Sequence, residues 1–214
     1  MTPNQQLKLA TTAQQHTLYT RNILSVYYSA SLADHQAGGL WYAADHEIAR
    51  TLCETYGLSM TQTAGILAAV SPQNEWARNV AMAERYISTW LGVVRTAVRQ
   101  GGYLGVGLRK VDDLLALNFP SAEEAAVILN GDKVRAFFYN IMGDLHQVCV
   151  DGHAVNIAQN GLLRKGITQA KSPTSLQYTL TAAAYEAAAD EVGILPALMQ
   201  AVTWVAYKGM EISK

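Results

Sequence analysis

Two residues stand out for what their types and spacing could do together. Lys133 lies in Gly131-Asp132-Lys133 at the start of an apolar helical pattern, and Asp151 lies in Val150-Asp151-Gly152-His153, 18 positions further on. Cleavage of an N-glycosidic bond develops positive charge on the sugar, which a nearby carboxylate stabilises. An amine can attack the sugar carbon and trap it as a Schiff base, and the positive end of a helix dipole favours the free amine at such a position. Each residue also has a plain structural explanation. Asp151 is a good N-cap for a helix opening at Gly152, and Lys133 fits a solvated first turn.

The elements that must position them read as helices throughout. Val134, Phe137, Phe138, Ile141 and Met142 fall on one helical face, as do Leu195, Leu198, Met199, Val202, Val205 and Ala206 near the carboxyl terminus. The pattern predicts helices at about 16–32, 39–56, 59–71, 74–99, 121–129, 131–143, 152–160, 174–191 and 195–208, with ends good to ~2–4 residues. No run alternates strictly, so the fold class is all-α. Residues 100–110 carry four glycines flanked by Arg99, Arg109 and Lys110 and read as a loop between halves. The expected organisation is a single two-lobed unit over 1–214. One lobe, about 40–160, carries the turn at Gly131 and Asp151; the other combines about 1–39 with 161–214.

Composition bounds the function. Half the residues are hydrophobic and 15% are charged, which excludes a disordered or fibrous chain. The formal net charge is −1, so affinity for a polyanion must come from a local patch, with a shallow salt dependence. Arg99, Arg109, Lys110, Arg164 and Lys165 are the basic residues expected to contribute. Cys53 and Cys149 alone cannot build a four-cysteine zinc or iron–sulfur site. Neighbouring Asp45, His46 and Glu47 point apart on a helix, so no metal site is expected there. A polar amino terminus and the lack of any apolar run of ~18–20 residues predict an intracellular, cytoplasmic protein, of a bacterial cell or an infected host cell, with no membrane partner.

The segment Gly131-Asp132-Lys133, followed by the apolar helix Val134 to Met142 and by Val150-Asp151-Gly152-His153, resembles the core of the helix-hairpin-helix DNA glycosylases. In that superfamily a glycine-containing hairpin leads into a lysine, an apolar helix, and then a valine–aspartate step with a histidine. Ala68-Ala69-Val70-Ser71-Pro72-Gln73-Asn74 resembles the family segment that lies against the displaced base. The first glycine of the usual hairpin pair is replaced by Leu129. The resemblance covers roughly residues 60–160 and implies a two-lobed helical glycosylase-like fold with DNA as partner.

The resemblance further implies an enzyme that flips a modified or damaged base out of DNA and cleaves its glycosidic bond, with lyase activity as a further step. It implies Asp151 for electrostatic stabilisation and Lys133 as nucleophile, with no cofactor, in a monomer. A flipped base needs a pocket with aromatic and amide groups. The residues expected to line it or to touch DNA are Ser71, Gln73, Asn74, Trp76, Gly131, Tyr139, His153, Gln200 and Trp204, while Trp41 and Trp90 read as core. Ser71-Pro72-Gln73-Asn74-Glu75-Trp76 and Gln200-Ala201-Val202-Thr203-Trp204 also resemble phage-borne relatives thought to modify bases. The alternatives are therefore a transferase adding an amine-bearing group to a modified thymine of phage DNA, and a silent DNA-binding module.

Overall fold

A computed structural model of the chain describes residues 2–72, 75–92, 102–163 and 173–212. Among the described residues every element is helical: α1 (Pro3–Ser29), α2 (Leu32–Tyr56), α3 (Met60–Val70), α4 (Trp76–Trp90), α5 (Gly102–Ala116), α6 (Ala122–Leu129), α7 (Asp132–Met142), α8 (Gly152–Asn160), α9 (Ser175–Val192) and α10 (Pro196–Ile212). None of them is long and apolar enough to cross a membrane.

Reciprocal caps fix many of the starts. Ser59 and Gln62, Ser121 and Glu124, and Thr174 and Gln177 each exchange side-chain and backbone hydrogen bonds across a first turn. Ser31 and Asp34 do the same for α2: the Asp34 carboxylate accepts from the Ser31 amide at 2.8 Å, and the Ser31 hydroxyl accepts from the Asp34 amide at 3.2 Å. That cap starts α2 at Leu32, ahead of the expected residue 39, and carries Gly38 and Gly39 inside a helix. α1 likewise begins at Pro3, well before the expected 16. The glycine-rich stretch is corrected outright: residues 102–110 belong to α5, and residues 93–101 lie outside the described ones.

Two compact units divide the chain: a terminal unit, Met1–Trp41 with Leu145–Lys214, and an inserted unit, Tyr42–Asp144. The expected lobe boundary at residue 160 therefore moves to 144, and Asp151 belongs to the terminal unit. The physical reason lies in what residues 145–160 touch. Val148, Val150, Val155 and Ile157 are buried in one apolar cluster with Ile23 and Val26 of α1, Tyr185 of α9 and Met199 of α10. The Tyr178 hydroxyl donates to Val148 O at 2.8 Å, and the Ala197 amide donates to Leu145 O at 3.0 Å.

In the inserted unit α3 is the central helix, buried along Gln62–Val70, with α4, α5, α6 and α7 against it. Its core includes Ile66, Leu67, Ile87, Leu108, Leu114, Leu129, Phe138 and Ile141. Gly107 of α5 serves packing here. A Cβ at Gly107 would stand 2.5 Å from Ala69 O, so only hydrogen lets α5 cross α3 this closely. Buried Asn79 of α4 donates to Leu67 O at 3.0 Å.

Candidate functional site

The terminal unit holds a carboxylate two residues before a histidine that meets aromatic rings. Buried Val148-Cys149-Val150 delivers Asp151 in an extended conformation, φ −113° and ψ −174°, as the N-cap of α8. Its Oδ1 accepts from the Ala154 amide at 2.8 Å, which leaves Oδ2 uncommitted among the described residues. Asp151 and His153 are both half-buried. The His153 ring meets Trp204 edge-on at 6.1 Å and Tyr207 at 6.0 Å. Helical spacing puts buried Gln200 and Tyr207 on the same face of α10 as Trp204.

Trp41 joins this group, its ring 5.1 Å from that of Trp204 at an interplanar angle of 61°. Gly38 explains the approach. A Cβ there would lie 2.5 Å from Val202 Cα and 2.6 Å from Val202 N, so α2 and α10 touch backbone to backbone one turn before Trp41. The sequence pattern places Trp41 in the core; it is half-buried next to Trp204 instead. The signal available in the sequence is its three-residue spacing from a helical glycine.

Fully buried Tyr185 supports α10. The Thr203 hydroxyl gives its one proton to the carbonyls of Met199 (2.9 Å) and Gln200 (3.0 Å). At 3.2 Å, Tyr185 Oη must therefore be the donor to Thr203 Oγ1. Burial pushes the Tyr185 phenol above its ordinary range, the Thr203 hydrogen bond opposes this, and the negative charge of Asp151 adds to the rise.

The inserted unit holds the hairpin. α6 and α7 are joined by Asn130 (φ 29°) and Gly131 (φ 84°) alone. The position where the resembled pattern has its first glycine is Leu129, which is fully buried in the core, and the positive φ falls on Asn130 instead. Gly131 offers no side-chain cap to α7. Lys133 sits half-buried in its first turn, and the exposed neighbour Asp132 pairs with Arg135 at 2.7 Å. Lys110, expected in a solvated loop, instead reaches from α5 to donate to the carbonyls of Leu129 and Asn130 at the hairpin. Burial holds its pKa below the usual lysine range.

Other expected residues of this unit are placed more plainly. The Ser71 hydroxyl donates to Ala68 O at 2.9 Å at the end of α3. Trp76 meets Phe137 at 5.5 Å and Tyr139 meets Phe138 at 5.0 Å, both packed against the apolar cluster. Gln73, Asn74, Arg99, Arg164 and Lys165 lie outside the described residues. Among the described residues no group of three or more His, Cys, Asp or Glu is gathered for a metal. His46 donates through Nδ1 to Ile141 O at 2.9 Å, while Glu47 accepts from Arg50 at 2.8 Å.

A family of unknown function, DUF7178, matches residues 5–211. The chain belongs to the DUF7178 family. No curated protein and no solved structure matches it. For this member of DUF7178 the functional reading therefore comes from the residues themselves. Asp151, His153 and Trp204 share the terminal unit, while Ser71, Trp76, Gly131, Lys133 and Tyr139 belong to the inserted unit.

Proposed function

We propose that this DUF7178 protein acts on a modified or damaged base displaced from DNA and cleaves its N-glycosidic bond, in a helix-hairpin-helix glycosylase-like fold. The observation that supports this reading is the Asp151 carboxylate. One oxygen is held by the α8 amide, the other is uncommitted among the described residues, and the aromatic group around His153 and Trp204 lies in the same unit. A carboxylate held in this way keeps its orientation as charge develops, so no reorganisation is needed during bond cleavage.

In the proposed reaction the bond from the sugar C1′ to the base nitrogen breaks and its electron pair leaves with the base. The Asp151 charge stabilises the cationic sugar. Lys133 is the proposed nucleophile: its amine bonds to C1′ and gives up a proton, the C1′–O4′ bond then breaks with its electron pair and that proton on O4′, and a Schiff base remains. The two-residue hairpin ahead of Lys133 supports the likeness to DNA glycosylases.

The test is incubation with duplexes carrying a panel of modified bases, scoring abasic sites and adducts trapped by borohydride. Asp151→Asn keeps the capping oxygen and removes the charge, so base release should slow by at least about 100-fold. Lys133→Ala should abolish the trapped adduct. A panel yielding no abasic site and no adduct would refute excision. A base that gains mass without an abasic site would replace excision by transfer.

A further inference from the structure

The pairing of Trp41 with Trp204 has no role in the bond cleavage proposed above, nor does it build the terminal unit's core. Among the described residues the apolar cluster of that unit is assembled from α1, the strip before α8, α8, α9 and α10, through Tyr19, Ile23, Val155, Tyr185 and Met199 among others, without either indole. Both indoles are half-buried. Their rings meet edge to face, which leaves faces of the pair that the other ring does not cover. The backbone contact of Gly38 with Val202 is a specific arrangement that puts Trp41 there. His153, two residues after Asp151, meets Trp204 edge-on.

We propose that Trp41, with Trp204, forms the stacking wall for the substrate, and that the ligand is a planar heteroaromatic base. The inference rests on the excision reading for the identity of that base as part of DNA. A flat π ligand satisfies an aromatic wall without any hydrogen bond from it, while the polar edge of the ligand is left for His153 and the Asp151 carboxylate. Stacking of this kind tolerates several bases, because each presents a π face. Discrimination among bases therefore falls to the polar edge, and the wall sets affinity for a base as a class.

The test compares two duplexes of one sequence, one carrying a single mispaired 2-aminopurine and the other a tetrahydrofuran abasic analogue at that position. Binding is read by anisotropy of an end label, and folding of each variant by thermal melting. Trp41→Leu should weaken binding to the 2-aminopurine duplex by about 5- to 150-fold and leave the tetrahydrofuran duplex unchanged, since no base is there to stack. Trp41→Phe should restore most of the difference. Equal weakening on both duplexes would mean a structural role and overturn the proposal. So would unchanged binding to both, or a wild-type protein that does not distinguish the two duplexes. The readout needs no cleavage. A wall that responds as expected in a protein that releases no base would refute excision alone, and loss of base release in Asp151→Asn with an indifferent Trp41→Leu would refute the wall alone.

Discussion

Adjacent glycines in α2 are expected to respond to the same substitution with opposite signs. Alanine in a helix interior is favoured over glycine by about 0.5–1 kcal/mol. At Gly39 a Cβ would meet nothing within 4 Å, so Gly39→Ala should gain that amount. At Gly38 the added carbon would stand 2.5 Å from Val202 Cα and 2.6 Å from Val202 N, whereas carbon atoms pack at about 3.5–4.0 Å. The obstacle is backbone, which no rotamer change can clear, so α2 and α10 must separate by roughly 1 Å. Overpacking of this kind costs about 2–3 kcal/mol at the upper end of its usual range, and the helix gain leaves a net loss of about 1–2 kcal/mol. The two variants should differ by about 2–3 kcal/mol, or roughly 4–12 °C in Tm for a chain of this size. Urea denaturation followed by tryptophan fluorescence, together with calorimetry, measures both. A Gly38→Ala protein as stable as Gly39→Ala would refute the backbone contact, and with it the account of how Trp41 is seated.

Gly131→Ala meets no steric obstacle, yet φ 84° strains any L side chain, so a loss of about 1–3 kcal/mol is expected in denaturant titration. Lys110→Met removes the donor to the hairpin carbonyls and should cost about 1 kcal/mol, with faster amide exchange at the start of α7. Tyr185 has its phenol raised by burial: the folded state keeps a proton that the unfolded chain releases above its ordinary pKa of about 10. The stabilisation is full below that pH and is lost as pH rises toward the folded value. Tyr185→Phe should therefore flatten the alkaline decline, and a decline of unchanged slope would assign it to other groups.

The helical class was legible because the apolar spacing and the caps agree. α8 was located residue by residue, since Asp151 is both a strong cap and the start of an apolar face. The Ser31 and Asp34 cap of α2 lies ahead of residue 39, where the expected helix begins, and a glycine pair such as Gly38-Gly39 suits a break as well as a helix. The same ambiguity misled at α5, where glycine marks close approach to α3 at Ala69 and not a loop. Local spacing carries no record of which distant backbone a glycine faces. Trp41 was missed for that reason, and Lys110 because its partners, the Leu129 and Asn130 carbonyls, are backbone atoms that no side-chain pattern reveals. The boundary at 144 was hidden as well, since only tertiary packing shows that Val148 and Val150 join α1 and α9.

The terminal unit is built from the two ends of a chain whose middle forms the other unit, and this sets an order of events during synthesis. α1 is made before residues 42–144, but α8, α9 and α10, the helices it packs on, are made only after them. At about 5–20 residues per second that delay is on the order of 5–20 s, during which Ile23 and Val26 lack their partners on α8, α9 and α10. The inserted unit has its whole sequence available in that interval. Translation that stops short of α8 would therefore release a chain with its inserted unit made and with α1 exposing the apolar face that α8, α9 and α10 cover. Chaperones and proteases are expected to recognise such a chain by that helix.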